Sequence, residues 1–164
     1  MAEFDSASFT LLRKGRSFEE FEVGRRFKHH WGRTLTDGDN ALFTTATLAY
    51  NPLYFNAEYA RAEGHPGMVM NPMLVLCAVV GLSVEDLSEA GGPFLGIDEL
   101  TFHRPVYAGD TLEAISTVIA ARESDSRPEF GIVTWHTEGR NQRGELVVDY
   151  KRSNLAAKAR GGSV

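Results

Sequence analysis

Polar side chains with acid-base or hydrogen-bonding capacity crowd one stretch of the chain: Asp37, Asp39, Asn40, Asn51, Tyr54, Asn56 and His65, followed by Asn71. A carboxylate can take a proton and a tyrosine hydroxyl can donate one or orient a water. An asparagine amide at a helix start, beside free backbone N–H groups, can stabilise an oxygen on which negative charge develops. Asp39 is therefore either a general base or the acid of a capping box, because Thr36-Asp37-Gly38-Asp39 has the S/T-x-x-D form. Asn71, just before Pro72, either polarises a carbonyl or caps the helix it precedes. Tyr54 either hydrogen-bonds a ligand or packs its ring. His65, on the turn before Pro66-Gly67, is a loop histidine that either binds substrate or faces solvent.

Other chemistries lose their sequence support. The chain lacks G-x-x-x-x-G-K-[ST], G-x-G-x-x-G, C-x-x-C, H-E-x-x-H and G-x-S-x-G, the signatures of phosphate loops, dinucleotide sites, zinc sites and nucleophile elbows. The histidines at 29, 30, 65, 103 and 136 are scattered, so no metal site is expected. Cys77 cannot form an internal disulfide and, inside MLVLCAVVGL, is expected to be a small buried hydrophobe. A net charge of -5 offers no general attraction to nucleic acid or to an anionic membrane.

The elements that must hold the polar stretch follow from local rules. A strand is expected from Phe27 to Leu35 and a helix from Thr36, ending before Asn51-Pro52 because Pro52 bars Asn51 from the helical region. A shorter helix over Ala57 to Glu63 follows an irregular loop. The run from Pro72 to Val84 is apolar on nearly every face and reads as a buried central helix, with proline in its first turn where no N–H is missed. Four strand-like runs come next, IDELTFHRPVY, TLEAISTVIAAR, FGIVTWHTEG and ELVVDYKRSNLAAK, which in sequence order imply a meander. An early strand, an apolar helix and then antiparallel strands make an α+β domain with its sheet wrapped around the helix. At 164 residues, with 43% hydrophobic and 24% charged residues, one domain is expected, over residues 16–155 between an N-terminal segment (1–15) and a flexible tail (156–164). No signal or transit peptide is visible in MAEFDSASFT and no run approaches a membrane span, so a cytoplasmic location is expected. Arg104, Arg122, Arg127, Arg140, Arg143 and Arg152, in or between the late strands, suit phosphate groups or form a solvated face.

Two segments carry a family resemblance. NPLYFNAEYARAEG resembles the D-x-N-P-x-H-x-D stretch of MaoC-like enoyl-CoA hydratases, and FHRPVYAGDTLEA resembles their F-x-x-P-V-x-x-G-D-x-L stretch. The later runs look most like a subgroup that hydrates mesaconyl-CoA or itaconyl-CoA, and the resemblance spans roughly residues 16–155. It implies a single hot-dog domain that adds water to a short branched or dicarboxylic 2-enoyl-CoA, needs no cofactor because CoA is part of the substrate, and pairs at least as a homodimer. In that family the acid and the histidine of D-x-N-P-x-H activate the water. Here Ala49 and Tyr54 occupy those positions while Asn51 and Pro52 are retained, and Asn71-Pro72 replaces a later H-G. Alanine cannot exchange a proton and a tyrosine hydroxyl is a poor base at neutral pH. The resemblance leaves three expectations. Catalysis is kept by Asp39 or Asp37 with Tyr54 and Asn51, and with Asn71, Pro72 and His65 around the substrate. Alternatively the chain binds acyl-CoA without hydrating it, beside a partner that supplies the pair, or it is a hot-dog thioesterase.

Overall fold

A computed structural model describes residues 14–159. Its order is a short strand β1 (Arg26–Lys28), β2 (Arg33–Thr34), helix α1 (Asp37–Thr47), a one-turn 3-10 helix (Pro52–Tyr54), α2 (Ala57–Ala62), α3 (Pro72–Leu87), and strands β3 (Phe94–Phe102), β4 (Thr111–Glu123), β5 (Phe130–Asn141) and β6 (Leu146–Ala157). Along β5, Gly131, Val133, Trp135, Thr137 and Gly139 turn inward while the residues between them are partly exposed, the period of two that one buried sheet face demands. The inner face packs on α3, and Val75, Leu76 and Val79 of the helix join Leu112, Ala114, Val148 and Tyr150 of the sheet in the main core. A second cluster closes one end, where Trp135 meets Phe21 edge-on at 5.1 Å. Burying each such aliphatic side chain contributes about 1.5–3 kcal/mol.

The antiparallel α+β architecture is as expected, but the strand order is not a four-strand meander. The sheet runs β1-β4-β5-β6-β3, with β2 also on β4. Only β4, β5 and β6 follow one another; β3 lies beyond β6 at the far edge, so residues 103–110 cross from one side of the sheet to the other. The expected strand over 27–35 is broken into two short ones on β4, because Trp31 between them adopts a left-handed backbone (φ 66°). β6 runs two residues past the boundary drawn at 155, and the Ala159 N–H donates to Glu19 at 2.9 Å, so the start of the supposed tail is built into the domain. Of the N-terminal segment, residues 1–13 lie outside the described residues.

Helix α3 begins at Pro72 as expected and extends to Leu87. It is buried on one face only. Val75, Leu76, Val79, Ser83 and Leu87 face the sheet, while Met73 and Val84 are 48% and 40% exposed. Cys77 shares the open face, so the expectation of a buried cysteine is corrected: apolar character all round did not mean cover all round. No helix among the described residues is long and apolar enough to cross a membrane.

Candidate active site

The loop between α1 and α3 is pinned from beneath by Asn40. Its position in the first turn of α1 sends the side chain inward, where it is wholly buried. The amide donates to the carbonyls of Tyr54 (2.8 Å) and Val69 (3.0 Å), and its oxygen accepts the Asn71 N–H at 2.8 Å. One side chain thus joins α1, the 3-10 turn and the entry to α3.

The flanking caps are local. Thr36 opens α1 with both bonds of a capping box in place. The Asp39 carboxylate accepts the Thr36 N–H (2.9 Å), the Thr36 hydroxyl (2.7 Å) and Arg33 (2.7 Å). Those Thr36 bonds, aided by Arg33, hold its pKa below the usual carboxylate value and make it a weaker base. Leu48 closes α1 in the left-handed conformation, φ 55°. Asn51 is extended before Pro52, and its side chain accepts the Leu53 N–H at 3.1 Å. Asn71 accepts the Met73 N–H at 2.9 Å and so caps α3.

Two cavities share Tyr54 and Pro72 as walls. The first, about 270 Å³, is lined by Leu53, Val69, Met70 and Val75 with Tyr54, His65, His103 and Arg104 among its polar groups. The second, about 430 Å³, is lined by Phe43, Ala49, Asn71 and Met73. Tyr54, Pro72 and His65 are therefore brought together in one cavity, and Asn71 joins Tyr54 and Pro72 in the other. Asp39 and Asn51 line neither.

His65 Nδ1 lies 2.9 Å from the Tyr107 hydroxyl, which burial, and then the Asp110 charge, keep protonated. Tyr107 belongs to the P-V-x-x-G-D segment, whose structural logic is plain. Gly109 takes φ +93°, a turn conformation that favours glycine, and Asp110 accepts the Tyr107 N–H (3.0 Å) and Gln142 (2.8 Å). The segment sets the far wall of the first cavity and ties it to the β5–β6 hairpin.

Sequence reasoning missed a cluster in which His103, a lining residue of the first cavity, reaches Asp149 and, through it, His136 on the outer face of the sheet. Asp149 of β6 lies 2.7 Å from His103 Nε2 and 2.8 Å from His136 Nε2, one carboxylate oxygen to each ring. Burial alone would raise the Asp149 pKa; the bonds to His136 and His103 outweigh it and hold the group below its ordinary value. The only sequence signal was period two along β5 and β6, which puts His136 and Asp149 on the face away from α3. The arginines also divide. Arg152 is 2% exposed and bonds to Asn154, Ser83 and Ser88, so it is removed from the set that can meet phosphates. Arg104 remains at the rim of the first cavity, with Glu145 at 3.6 Å.

An antiparallel sheet on a central helix, with an Asn-Pro-bearing loop over the helix start and a P-V-x-x-G-D crossover beside it, defines a hot-dog domain of the MaoC-like class. The chain belongs to the mesaconyl-CoA hydratase family, whose model matches residues 5–162. It is 44% identical over 143 residues to the mesaconyl-CoA hydratase of Haloarcula marismortui, covering 87% of this chain and 40% of that protein. Among solved structures, a MaoC domain protein dehydratase from Chloroflexus aurantiacus J-10-fl superposes with a TM-score of 0.84 at 31% identity, over 92% of this chain and 42% of that one. A Mycobacterium tuberculosis protein with a double hot-dog fold superposes with a TM-score of 0.75 at 24% identity, over 92% of this chain and 46% of that one, which speaks to the fold. The chain thus spans less than half the length of these relatives.

Proposed function

We propose that this chain is a hot-dog unit of a cytoplasmic acyl-CoA hydratase/dehydratase, adding water across the double bond of a 2-enoyl-CoA. The acyl group is short and branched or dicarboxylic, as in mesaconyl- or itaconyl-CoA. The 44% identity to a mesaconyl-CoA hydratase carries this reading. The first cavity supports it: apolar walls from Leu53, Val69 and Val75 suit a short acyl chain, and a few hydrogen-bonding groups, Tyr54, His65 and His103, suit a thioester and a water. Arg104 at the rim suits a CoA phosphate. Addition of water to a conjugated thioester needs proton transfer and carbonyl polarisation, so the proposal includes no redox cofactor and no metal.

The unit pairs with another hot dog, either a second copy in a homodimer or a higher oligomer. Among the described residues no strand pairs with the outer edge of β3, where Phe94, Leu95 and Phe102 are 54%, 49% and 38% exposed, and an apolar open edge calls for cover.

Ala49 and Tyr54 favour one second reading, an acyl-CoA-binding unit whose partner supplies the acid and the histidine. Purified protein is incubated with crotonyl-, mesaconyl- and itaconyl-CoA while loss of the conjugated thioester, free thiol and mass in solution are followed. Hydration by a homo-oligomer supports the first reading. Binding without turnover supports the second, and stoichiometric thiol release points instead to a thioesterase.

A further inference from the structure

The cavity beside Tyr54 needs a group that can take a proton, and neither Ala49 nor the capping carboxylate of Asp39 supplies one readily. His65 meets the Tyr107 hydroxyl through Nδ1 and has no carboxylate partner among the described residues. His103 is different. It follows the last residue of β3, lines the first cavity, and its side chain is 35% exposed. Its Nε2 is held by Asp149 at 2.7 Å, and its Nδ1 has no hydrogen bond among the described residues.

The second histidine defines the state of the first. Asp149 offers one oxygen to His103 and the other to His136. An ionised carboxylate only accepts, so both Nε2 atoms carry protons and a neutral His103 ring has its lone pair on Nδ1. The carboxylate also sits where it stabilises the imidazolium that forms when Nδ1 takes a proton, the role of the buried acid in Ser-His-Asp sites. His136, from the neighbouring strand, occupies the carboxylate's other oxygen and fixes its orientation.

We infer that His103 is the proton-transfer residue of this cavity and that Asp149 is its positioning residue. The inference rests on the hydratase reading. Nδ1 of His103 takes a proton from water as the water oxygen bonds to Cβ of the enoyl thioester. The π pair of the C=C bond moves to Cα and the thioester carbonyl. The imidazolium then returns the proton to Cα, so one water is added and the ring ends neutral.

The test compares wild type, His103→Gln and Asp149→Asn in hydration of the 2-enoyl-CoA that the wild type turns over, with acyl-CoA affinity and thermal unfolding measured alongside. His103→Gln is expected to lower kcat by about 100- to 10,000-fold while Kd changes only a few-fold. Asp149→Asn is expected to lower kcat while the acyl-CoA Kd stays within a few-fold of wild type, because the ring loses the group that holds its tautomer and orientation. A purely structural role would instead weaken binding and lower the unfolding temperature along with kcat. If Asp149→Asn does not fold, His103→Gln decides alone. A wild type that hydrates, with His103→Gln within about tenfold of it, overturns this inference and leaves the hydratase reading standing. A wild type that hydrates none of the esters overturns both.

Discussion

Replacing Asn40 with alanine should damage the domain far more than its place in an outer helix suggests. The substitution removes two donated bonds and one accepted bond, leaving the Tyr54 and Val69 carbonyls and the Asn71 N–H without their partner. Two of those bonds lie in the interior, and stranding a buried polar group costs about 1–3 kcal/mol each. We expect a loss of about 3–5 kcal/mol, a large part of the roughly 5–15 kcal/mol that holds a domain of ordinary stability. Asn40→Asp keeps shape and one acceptor but sets a carboxylate against two carbonyls, so it should do no better. Asn56→Ala is the control: its side chain accepts one exposed cap bond, from the Tyr59 N–H at 3.0 Å, worth about 1 kcal/mol. Urea unfolding reads the difference, and with an m-value of about 2 kcal/mol/M the Asn40→Ala midpoint falls by about 1.5–2.5 M against about 0.5 M for the control. Because Tyr54 and Asn71 are cavity walls, KM for the acyl-CoA should rise as well. A loss below about 1 kcal/mol, level with Asn56→Ala, would refute the idea that Asn40 holds the site loop.

Further outcomes concern packing and pH. A Cβ on Gly139 would meet Val79 Cγ2 at 2.7 Å and Val148 Cγ1 at 2.9 Å, both in the core, so Gly139→Ala should destabilise by about 1–3 kcal/mol. Gly81→Ala, on the open face of α3 with nothing within 4 Å, should stabilise by about 0.5–1 kcal/mol; thermal unfolding of the pair checks both signs. His29 is 2% exposed, with Asp86 at 2.8 Å and Ser116 at 2.9 Å. Burial lowers its pKa from 6.5 despite the opposing pull of Asp86. The unfolded chain therefore takes up the proton first as pH falls below 6.5, and stability present above that pH is lost. In His29→Gln the Tm should change less with pH just below 6.5; a slope equal to wild type would remove His29 from the account. The carboxylates with lowered values, Asp39 and Asp149 from 3.8 and Glu19 and Glu145 from 4.5, lose their contribution only below those values, outside that window.

What the sequence revealed was mostly what neighbours decide. Thr36 to Asp39 announced the start of α1, Asn51-Pro52 the turn after it, and Asn71-Pro72 the start of α3, because capping and proline act within a few residues. Gly109-Asp110 carried enough of the family pattern to mark the crossover. The β3 swap stayed hidden, since pairing with β6 rather than β4 is a long-range choice that alternation cannot express. Asn40 looked like one more polar residue of a capping segment, and only the packed loop shows three partners converging on it. His103, His136 and Asp149 are far apart in the chain and meet only through the β5–β6 register and the end of β3. Cys77 was misjudged because composition reports how apolar a helix is, and not which of its faces finds cover.

Isotope tracing bears most directly on the central claim. The wild-type protein is incubated with mesaconyl-CoA in water enriched in oxygen-18, and the products are weighed by mass spectrometry. Hydration predicts an intact CoA thioester heavier by one labelled water, with no free thiol. Label recovered in a released carboxylic acid, or a thioester that gains nothing while bound to saturation, would contradict it.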